Sequence, residues 1–132
     1  MASVTSLNIA TYNLHGLAQG ASLLSQLCRS YNIIFVQEHW LPSFSFDKLH
    51  SICDDMVCYA SSAMDDDVST GVLRGRPFGG VAIFVKKSVC SGMKLISKHS
   101  RFIIIQIGDT VLINVYLPCS GSNNWEDEYR GV

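Results

Sequence analysis

Apolar runs that alternate with polar turns predict a strand-rich α/β protein. The first strand is predicted over 7–12, where apolar and β-compatible residues alternate, and the second over 33–36, a continuous apolar run typical of a strand buried on both faces. Between them, a helix is predicted over 21–31, because apolar residues recur there at helical spacing. A strand, a helix and a strand in this order normally form a right-handed parallel unit.

The second half of the chain predicts further strands and no repeat. A short helix is predicted over 46–53, an exposed polar loop over 61–78, and a helix beginning at Asn124. The dipeptide Gly108-Asp109 predicts a hairpin turn. Four more strands are predicted, over 56–60, 80–86, 102–107 and 111–117.

Composition predicts one ordered domain over residues 1–132. A hydrophobic content of 48% with only 16% charged residues disfavours disorder, and 132 residues can bury a real core. There is no apolar run of the roughly 18 residues that a membrane helix needs, and no basic leader followed by an apolar segment. We therefore expect a nuclear or cytoplasmic protein that is not secreted and has no membrane partner.

The five cysteines predict neither a metal site nor a disulfide. They include no Cys-x-x-Cys pair, and the histidines are also scattered. Reduced thiols in a nuclear or cytosolic protein are the expectation.

The net charge of −1 excludes a generic basic nucleic-acid binder, but the charges are uneven. Acidic residues cluster in the middle of the chain and a basic stretch follows, made of Arg74, Arg76, Lys86, Lys87, Lys94, Lys98 and Arg101. Such a stretch could meet a phosphate backbone. The alternative is that these charges lie on solvated loops and protect exposed strand edges.

Three polar residues stand where predicted strands end. Glu38 follows the central strand, Asn13 closes the first strand, and Tyr116 stands near the end of the last strand. A carboxylate, an amide and a phenol at one edge of an α/β sheet could hold Mg²⁺ and a phosphate. Alternatively, Glu38 pairs with a cation or an amide, Asn13 forms a turn before Gly16, and Tyr116 fills the core or its rim.

Together, four segments resemble the endonuclease/exonuclease/phosphatase superfamily, and most closely the endonuclease domains of non-LTR (LINE-type) retrotransposons. The resemblance covers nearly the whole chain, with the motifs in the family's order and spacing. The segments are Thr11-Tyr12-Asn13-Leu14-His15-Gly16-Leu17, Gln37-Glu38-His39-Trp40-Leu41, Gly79-Gly80-Val81-Ala82-Ile83-Phe84-Val85 and Asn114-Val115-Tyr116-Leu117-Pro118.

The resemblance implies the N-terminal portion of a four-layer α/β-sandwich of the deoxyribonuclease-like kind, in truncated form. It implies Mg²⁺-dependent hydrolysis of DNA phosphodiesters, with Mn²⁺ as a substitute cation. Carried over by residue, Glu38 is the metal ligand, Asn13 holds the catalytic network and Tyr116 contacts the scissile phosphate. A downstream reverse-transcriptase domain is expected on the same basis.

The chain also departs from the family. The later Gly-Asp-x-Asn motif and the terminal Asp-His pair have no counterpart in these 132 residues. The resemblance therefore predicts an incomplete domain with impaired activity, which exposes an apolar sheet face and could self-associate. Two alternatives stay open: a phosphatase of the same superfamily, and a non-catalytic remnant that binds nucleic acid or protein.

Overall fold

A computed structural model describes residues 6–65 and 77–117. In chain order, its elements are β1 (Ile9–Asn13), α1 (Leu17–Ser30), β2 (Ile33–Gln37), α2 (Asp47–His50), β3 (Met56–Ser61), β4 (Val81–Lys86), β5 (Met93–His99), β6 (Phe102–Ile107) and β7 (Thr110–Val115), with 3₁₀ turns at Ser43–Ser45 and Cys90–Gly92.

Most predicted elements are confirmed, with three differences. The helix α1 begins at Leu17, four residues before the predicted start, and α2 is a single turn from Asp47 to His50. The strand β5 was not predicted, because a register shift between Leu95 and Ser97 breaks its alternation. Most of the predicted loop and the predicted helix after Asn124 lie outside the described residues.

The first sheet, sheet A, has the strand order β1-β2-β4-β3. Strands β1 and β2 are parallel, as the predicted β-α-β unit requires, and β4 runs antiparallel to both of its neighbours. The side chains from Val81 to Val85 are all buried, because both faces of β4 are covered.

The core lies on both faces of sheet A. On one face, α1 and α2 contribute Leu24 and Leu49 to a cluster that includes Phe84. On the other face, Ile83 packs in a cluster with Ile103, which belongs to the antiparallel sheet B (β5-β6-β7). The described residues therefore form three layers, in the order helices, sheet A, sheet B.

The outer face of sheet B carries a row of exposed apolar side chains. On β7, Asn114 is buried, while its neighbours on the opposite face point away from sheet A. Those neighbours, between 46% and 54% exposed, are Val111, Ile113, Val115 and the following Leu117. The expected apolar sheet face is therefore confirmed for the described residues.

The expectation of reduced thiols is wrong for two cysteines, since Cys28 and Cys53 form a disulfide with their Cα atoms 6.5 Å apart. Cys28 lies on α1 and Cys53 follows α2, so the bond fastens both helical segments over sheet A. The pair is separated by 25 residues, and only the packing of both segments on one face brings the two thiols together. Burial raises the pKa of the free Cys58 thiol to about 12, which makes it unreactive.

None of the described helices is both long enough and apolar enough to cross a membrane.

Reduction should destabilise the protein through this disulfide. The bond closes a loop over 25 residues of sequence separation, so its loss should lower the free energy of unfolding by about 3 kcal/mol. Thermal unfolding with and without dithiothreitol measures this change. The double variant Cys28→Ala, Cys53→Ala should unfold at the same temperature as reduced wild type, with or without dithiothreitol. Cys90→Ala keeps the disulfide, so its unfolding temperature should still fall when dithiothreitol is added. An unaltered wild-type melting curve after reduction would contradict the pairing.

Candidate active site

The ends of several strands meet at one rim of sheet A. Asn13, the last residue of β1, stands in register with Gln37, the last residue of β2. Gln37 is in turn paired with Val81, where β4 begins, and Val81 is paired with Ser61, where β3 ends. Glu38 follows Gln37 directly, so the predicted Asn13 and Glu38 lie at neighbouring strand ends.

Backbone hydrogen bonds extend the sheet into the loops of this rim. The Leu14 N–H donates to the Gln37 carbonyl at 2.9 Å, and the Gly16 N–H donates to the Glu38 carbonyl at 2.8 Å. On the other side, the Glu38 N–H donates to the Gly80 carbonyl at 2.8 Å. Glu38 is therefore held by its backbone between the loop after β1 and the start of β4.

The rim stores backbone strain. Among the described residues, His15, Glu38 and Trp40 are the non-glycine residues in the left-handed region, with φ of 52°, 57° and 62°. Such conformations are costly and persist where surrounding structure enforces them, most often at functional sites. The hydrogen bonds of Glu38 are the enforcing contacts here.

Glu38 offers a free carboxylate at this rim. Its side chain is half-buried, and within residues 6–65 and 77–117 the carboxylate makes neither a hydrogen bond nor an ion pair. Beside it, the Asn13 Oδ1 accepts a hydrogen bond from the His15 N–H at 3.0 Å. The turn interpretation of Asn13 is therefore correct, and its side-chain NH₂ group has no acceptor within the part of the chain that the structure describes.

Asn114 fastens sheet B to sheet A next to this rim. Its Nδ2 donates to the carbonyls of Val36 at 2.9 Å and Ala82 at 2.8 Å. Its Oδ1 accepts from Gln37 Nε2 at 2.8 Å, and Gln37 Nε2 also reaches Thr11 Oγ1 at 3.0 Å. Asn114 is only 1% exposed, so these bonds satisfy an amide that would otherwise be costly to bury.

The Asn114 contacts decide the position of Tyr116, two residues further along the chain. The Tyr116 N–H donates to the Arg101 carbonyl at 2.9 Å, and its half-buried side chain packs against the core between the two sheets. Tyr116 therefore lies at the same end of the sandwich as Asn13 and Glu38. The structure gathers the three predicted residues at one end, and their catalytic roles stay predictions.

His39 is a buried neutral histidine beneath the rim. Its Nδ1 accepts from the Leu41 N–H at 2.9 Å, so its Nε2 carries the proton and donates to the Ser61 carbonyl at 2.8 Å. Burial lowers the pKa of His39 to about 4. Gly80 makes room for the ring, because a Cβ at position 80 would overlap it. His39 thus ties the loop after β2 to the end of β3.

Sequence reasoning missed the structural roles of Gln37, His39 and Asn114, although it quoted all three inside motifs. One signal was available for Asn114. Its neighbours Leu112 and Tyr116 occupy the inward phase of β7, and a polar residue in that phase needs a buried partner. The partners themselves lie 32 to 78 residues away along the chain and could not be read from the pattern.

The described residues fit a magnesium site in which the protein supplies only one or two of the metal ligands. They contain no group of three or more His, Cys, Asp or Glu side chains arranged around one point. Mg²⁺ commonly takes one or two carboxylates and completes its shell with waters and substrate phosphate. The free Glu38 carboxylate, next to the Asn13 amide, suits that arrangement.

Comparison with solved structures identifies the architecture. A 3′ phosphatase (NExo) from Neisseria, bound to product DNA hairpin, matches with a TM-score of 0.63 and 18% identity over 95% of this chain and 48% of its own. An AP endonuclease from Leishmania major matches with a TM-score of 0.67 and 17% identity, over 94% and 44%. An AP endonuclease from Archaeoglobus fulgidus matches at 0.62 and 17%, over 96% and 48%.

The fold is that of a deoxyribonuclease-like α/β-sandwich. The chain spans about half the length of the solved structures it matches, so it corresponds to one part of such a sandwich. At these identities the likeness shows the fold, and the fold class expected from the motifs is confirmed. No protein-family model and no curated protein matches the sequence.

Replacing Asn114 should weaken the attachment of sheet B. Asn114→Ala removes three hydrogen bonds between the sheets, two to the carbonyls of Val36 and Ala82 and one from the Gln37 amide, which should cost about 2–4 kcal/mol. Urea unfolding measures the loss. Thr110→Ala, an exposed change on the same strand, should cost less than about 0.5 kcal/mol. Equal effects of both variants would show that the amide contacts contribute nothing.

The buried His39 should make stability depend on pH. Its pKa falls from 6.5 in the unfolded chain to about 4 in the folded protein, so acid protonates the unfolded state first. Above pH 6.5, His39 is neutral in both states and its titration does not change the free energy of unfolding. Between pH 6.5 and 4 this free energy falls by a total of roughly 3 kcal/mol, and below pH 4 the loss stays constant. Urea unfolding across this range should show a shallower slope for His39→Gln than for wild type. His50→Gln, at an exposed position, should keep the wild-type slope; a matching slope for His39→Gln would refute the assignment.

Proposed function

We propose that the chain is part of a Mg²⁺-dependent nuclease that hydrolyses phosphodiester bonds in DNA, of the non-LTR retrotransposon type. The observation that carries this proposal is the free Glu38 carboxylate, held at φ 57° beside Asn13 at the common end of both sheets. Backbone strain of this kind persists most often at functional sites, and this carboxylate has no partner among the described residues, so it is available to a ligand.

Glu38 would hold the cation, and Asn13 would complete the protein side of that site; Mn²⁺ could replace Mg²⁺. When bound, the cation supplies Lewis-acid stabilisation of the charge that develops on the phosphate. The Asn13 NH₂ group would donate to a phosphate oxygen or to the Glu38 carboxylate. Each of these contacts places donors or ligands where negative charge collects.

Tyr116 would donate its hydroxyl group to the scissile phosphate. Its position relative to Glu38 depends on the Asn114 amide, which binds backbone carbonyls on both β2 and β4. Those strands also carry or contact the Glu38 backbone. The phosphate would thus contact residues from both sheets. Because the distance between those residues is fixed before binding, the entropic cost of orienting the phosphate is lower.

The structural neighbours support a DNA substrate, since two are AP endonucleases and the Neisseria enzyme is described with a product DNA hairpin. The retrotransposon type rests on the four motifs, including the Gln37-Glu38 and Tyr116 segments. A reverse-transcriptase partner and a nuclear or cytoplasmic location belong to the same proposal. A phosphatase activity is the second candidate, because the Neisseria enzyme is named a 3′ phosphatase.

We further propose that this chain alone cleaves slowly. Its sequence has no counterpart of the later Gly-Asp-x-Asn and Asp-His motifs, which supply nucleophile activation in the family it resembles. The chain also covers less than half of each of the solved structures described above.

Nicking of supercoiled plasmid tests the proposal. The chain should convert supercoiled to open-circular DNA slowly with Mg²⁺, and EDTA should abolish the reaction. Glu38→Ala should reduce the rate by about 100-fold or more, because it removes the carboxylate ligand. Gel electrophoresis over a time course measures the rate. A folded wild-type sample without Mg²⁺-dependent nicking would contradict the proposed activity.

A matched carboxylate variant is the control for this experiment. Asp54 is exposed and lies just before β3, at the end of that strand opposite the rim. Asp54→Asn should therefore nick at the wild-type rate. A 3′-phosphorylated oligonucleotide, assayed for released phosphate, separates the phosphatase alternative from endonucleolytic cleavage.

A further inference from the structure

A polar cavity of about 420 Å³ lies beside the candidate active site, at the open edges of β3 and β5. Serine hydroxyls, a lysine, a histidine and one carboxylate face it. The polar residues that line it are Ser43, Ser61, Ser62, Asp65, Lys98, His99 and Ser100.

Lys98 bridges the two sheets at this cavity. It lies on β5, and its Nζ donates to the Ala60 carbonyl on β3 at 3.4 Å. The ammonium group forms no ion pair within the described ranges, so that single acceptor satisfies one of its three donors. The other two donors, and the positive charge, are available to an anion.

Asp65 does not neutralise Lys98. Its carboxylate accepts hydrogen bonds from the Ser43 N–H at 2.9 Å and from the Ser43 hydroxyl. Partial burial acts to raise the pKa of Asp65, but the hydrogen bonds from Ser43 and Ser62 outweigh it and hold the pKa below its ordinary value. The carboxylate therefore fixes the wall of the cavity, and the Lys98 ammonium group has no counter-ion within residues 6–65 and 77–117.

The remaining wall is held by packing. The His99 ring stacks on Phe102 with ring centroids 4.9 Å apart, and its Nδ1 lies 3.4 Å from the Ser100 hydroxyl. Lysine and serine side chains are frequent donors to phosphate oxygens in protein–DNA complexes. The Ser43 and Ser62 hydroxyl groups already donate to Asp65, so the groups that the cavity offers to a ligand are the Lys98 ammonium group and the Ser100 hydroxyl. A cation beside a neutral hydroxyl suits a phosphate better than an apolar ligand.

The cavity shares the rim with Glu38. Ser61, which precedes Ser62, pairs with Val81 at the start of β4, and Val81 pairs with Gln37. The cavity is therefore two strands away from Glu38, along the direction in which strands are about 4.8 Å apart. We propose that it binds a backbone phosphate of the DNA strand that flanks the cleaved bond, with Lys98 as the principal contact. This inference rests on the proposed function for the identity of the ligand as DNA.

Binding in EDTA tests the subsite without cleavage. Fluorescence anisotropy of a labelled DNA duplex, titrated between about 50 and 300 mM salt, gives the affinity and its salt slope. Lys98→Ala should raise the dissociation constant several-fold at low salt and reduce the slope by about one. Lys94→Ala makes the same charge change on the same strand, at the end away from the rim. It should stay within about twofold of wild type.

Two further variants and a competitor sharpen the result. Lys98→Arg keeps the charge and should retain most of the slope, and circular dichroism confirms that each variant is folded. Equal losses in Lys98→Ala and Lys94→Ala would overturn the subsite, and so would unchanged binding in both or no binding by wild type. If binding of inorganic phosphate depended on Lys98 while binding of DNA did not, the DNA assignment would be overturned. Because these readings need no metal, failure of Mg²⁺-dependent nicking leaves them interpretable.

Discussion

The arrangement of the site depends on one buried amide. Asn114 donates to carbonyls on β2 and β4 and accepts from Gln37, so this side chain hydrogen-bonds sheet B to two strands of sheet A. Buried polar groups are costly when unpaired, and each of these bonds therefore penalises any sliding of one sheet over the other. Since Tyr116 lies two residues away on the same strand end, the amide also sets its distance from the Glu38 rim.

At the rim, strained backbone conformations are held in place by hydrogen bonds. Glu38 and Trp40 adopt left-handed backbone conformations that ordinary residues avoid, and their N–H groups donate to the carbonyls of Gly80 and Gly79. His39, between them, is held neutral by burial and by two hydrogen bonds. The three-residue loop after β2 is thus fixed by contacts with β3, β4 and the loop after β1. Such rigidity is what the proposed role of Glu38 as a metal ligand would require.

Much of the fold could be predicted because its signals are local. The continuous apolar runs of β2 and β4 reflect burial on both faces of the sheet, and the helical spacing of apolar residues in α1 reflects burial on one face of the helix. The candidate residues Asn13 and Glu38 could be placed together because parallel strands connected by a helix are neighbours, and their ends meet. The strand β5 was missed because its bulge removes the alternation that would reveal it.

The sequence by itself determined the element types, the fold class and the identity of the residues at the strand ends. Only the tertiary structure decided which distant side chains meet: Asn114 with Val36 and Ala82, Cys28 with Cys53, and Lys98 with Ala60. Hydrophobic periodicity is a property of neighbours along the chain, so a sequence displays it directly. Pairings across layers depend on how two sheets and a helix pack, and that geometry leaves no periodic trace in the chain.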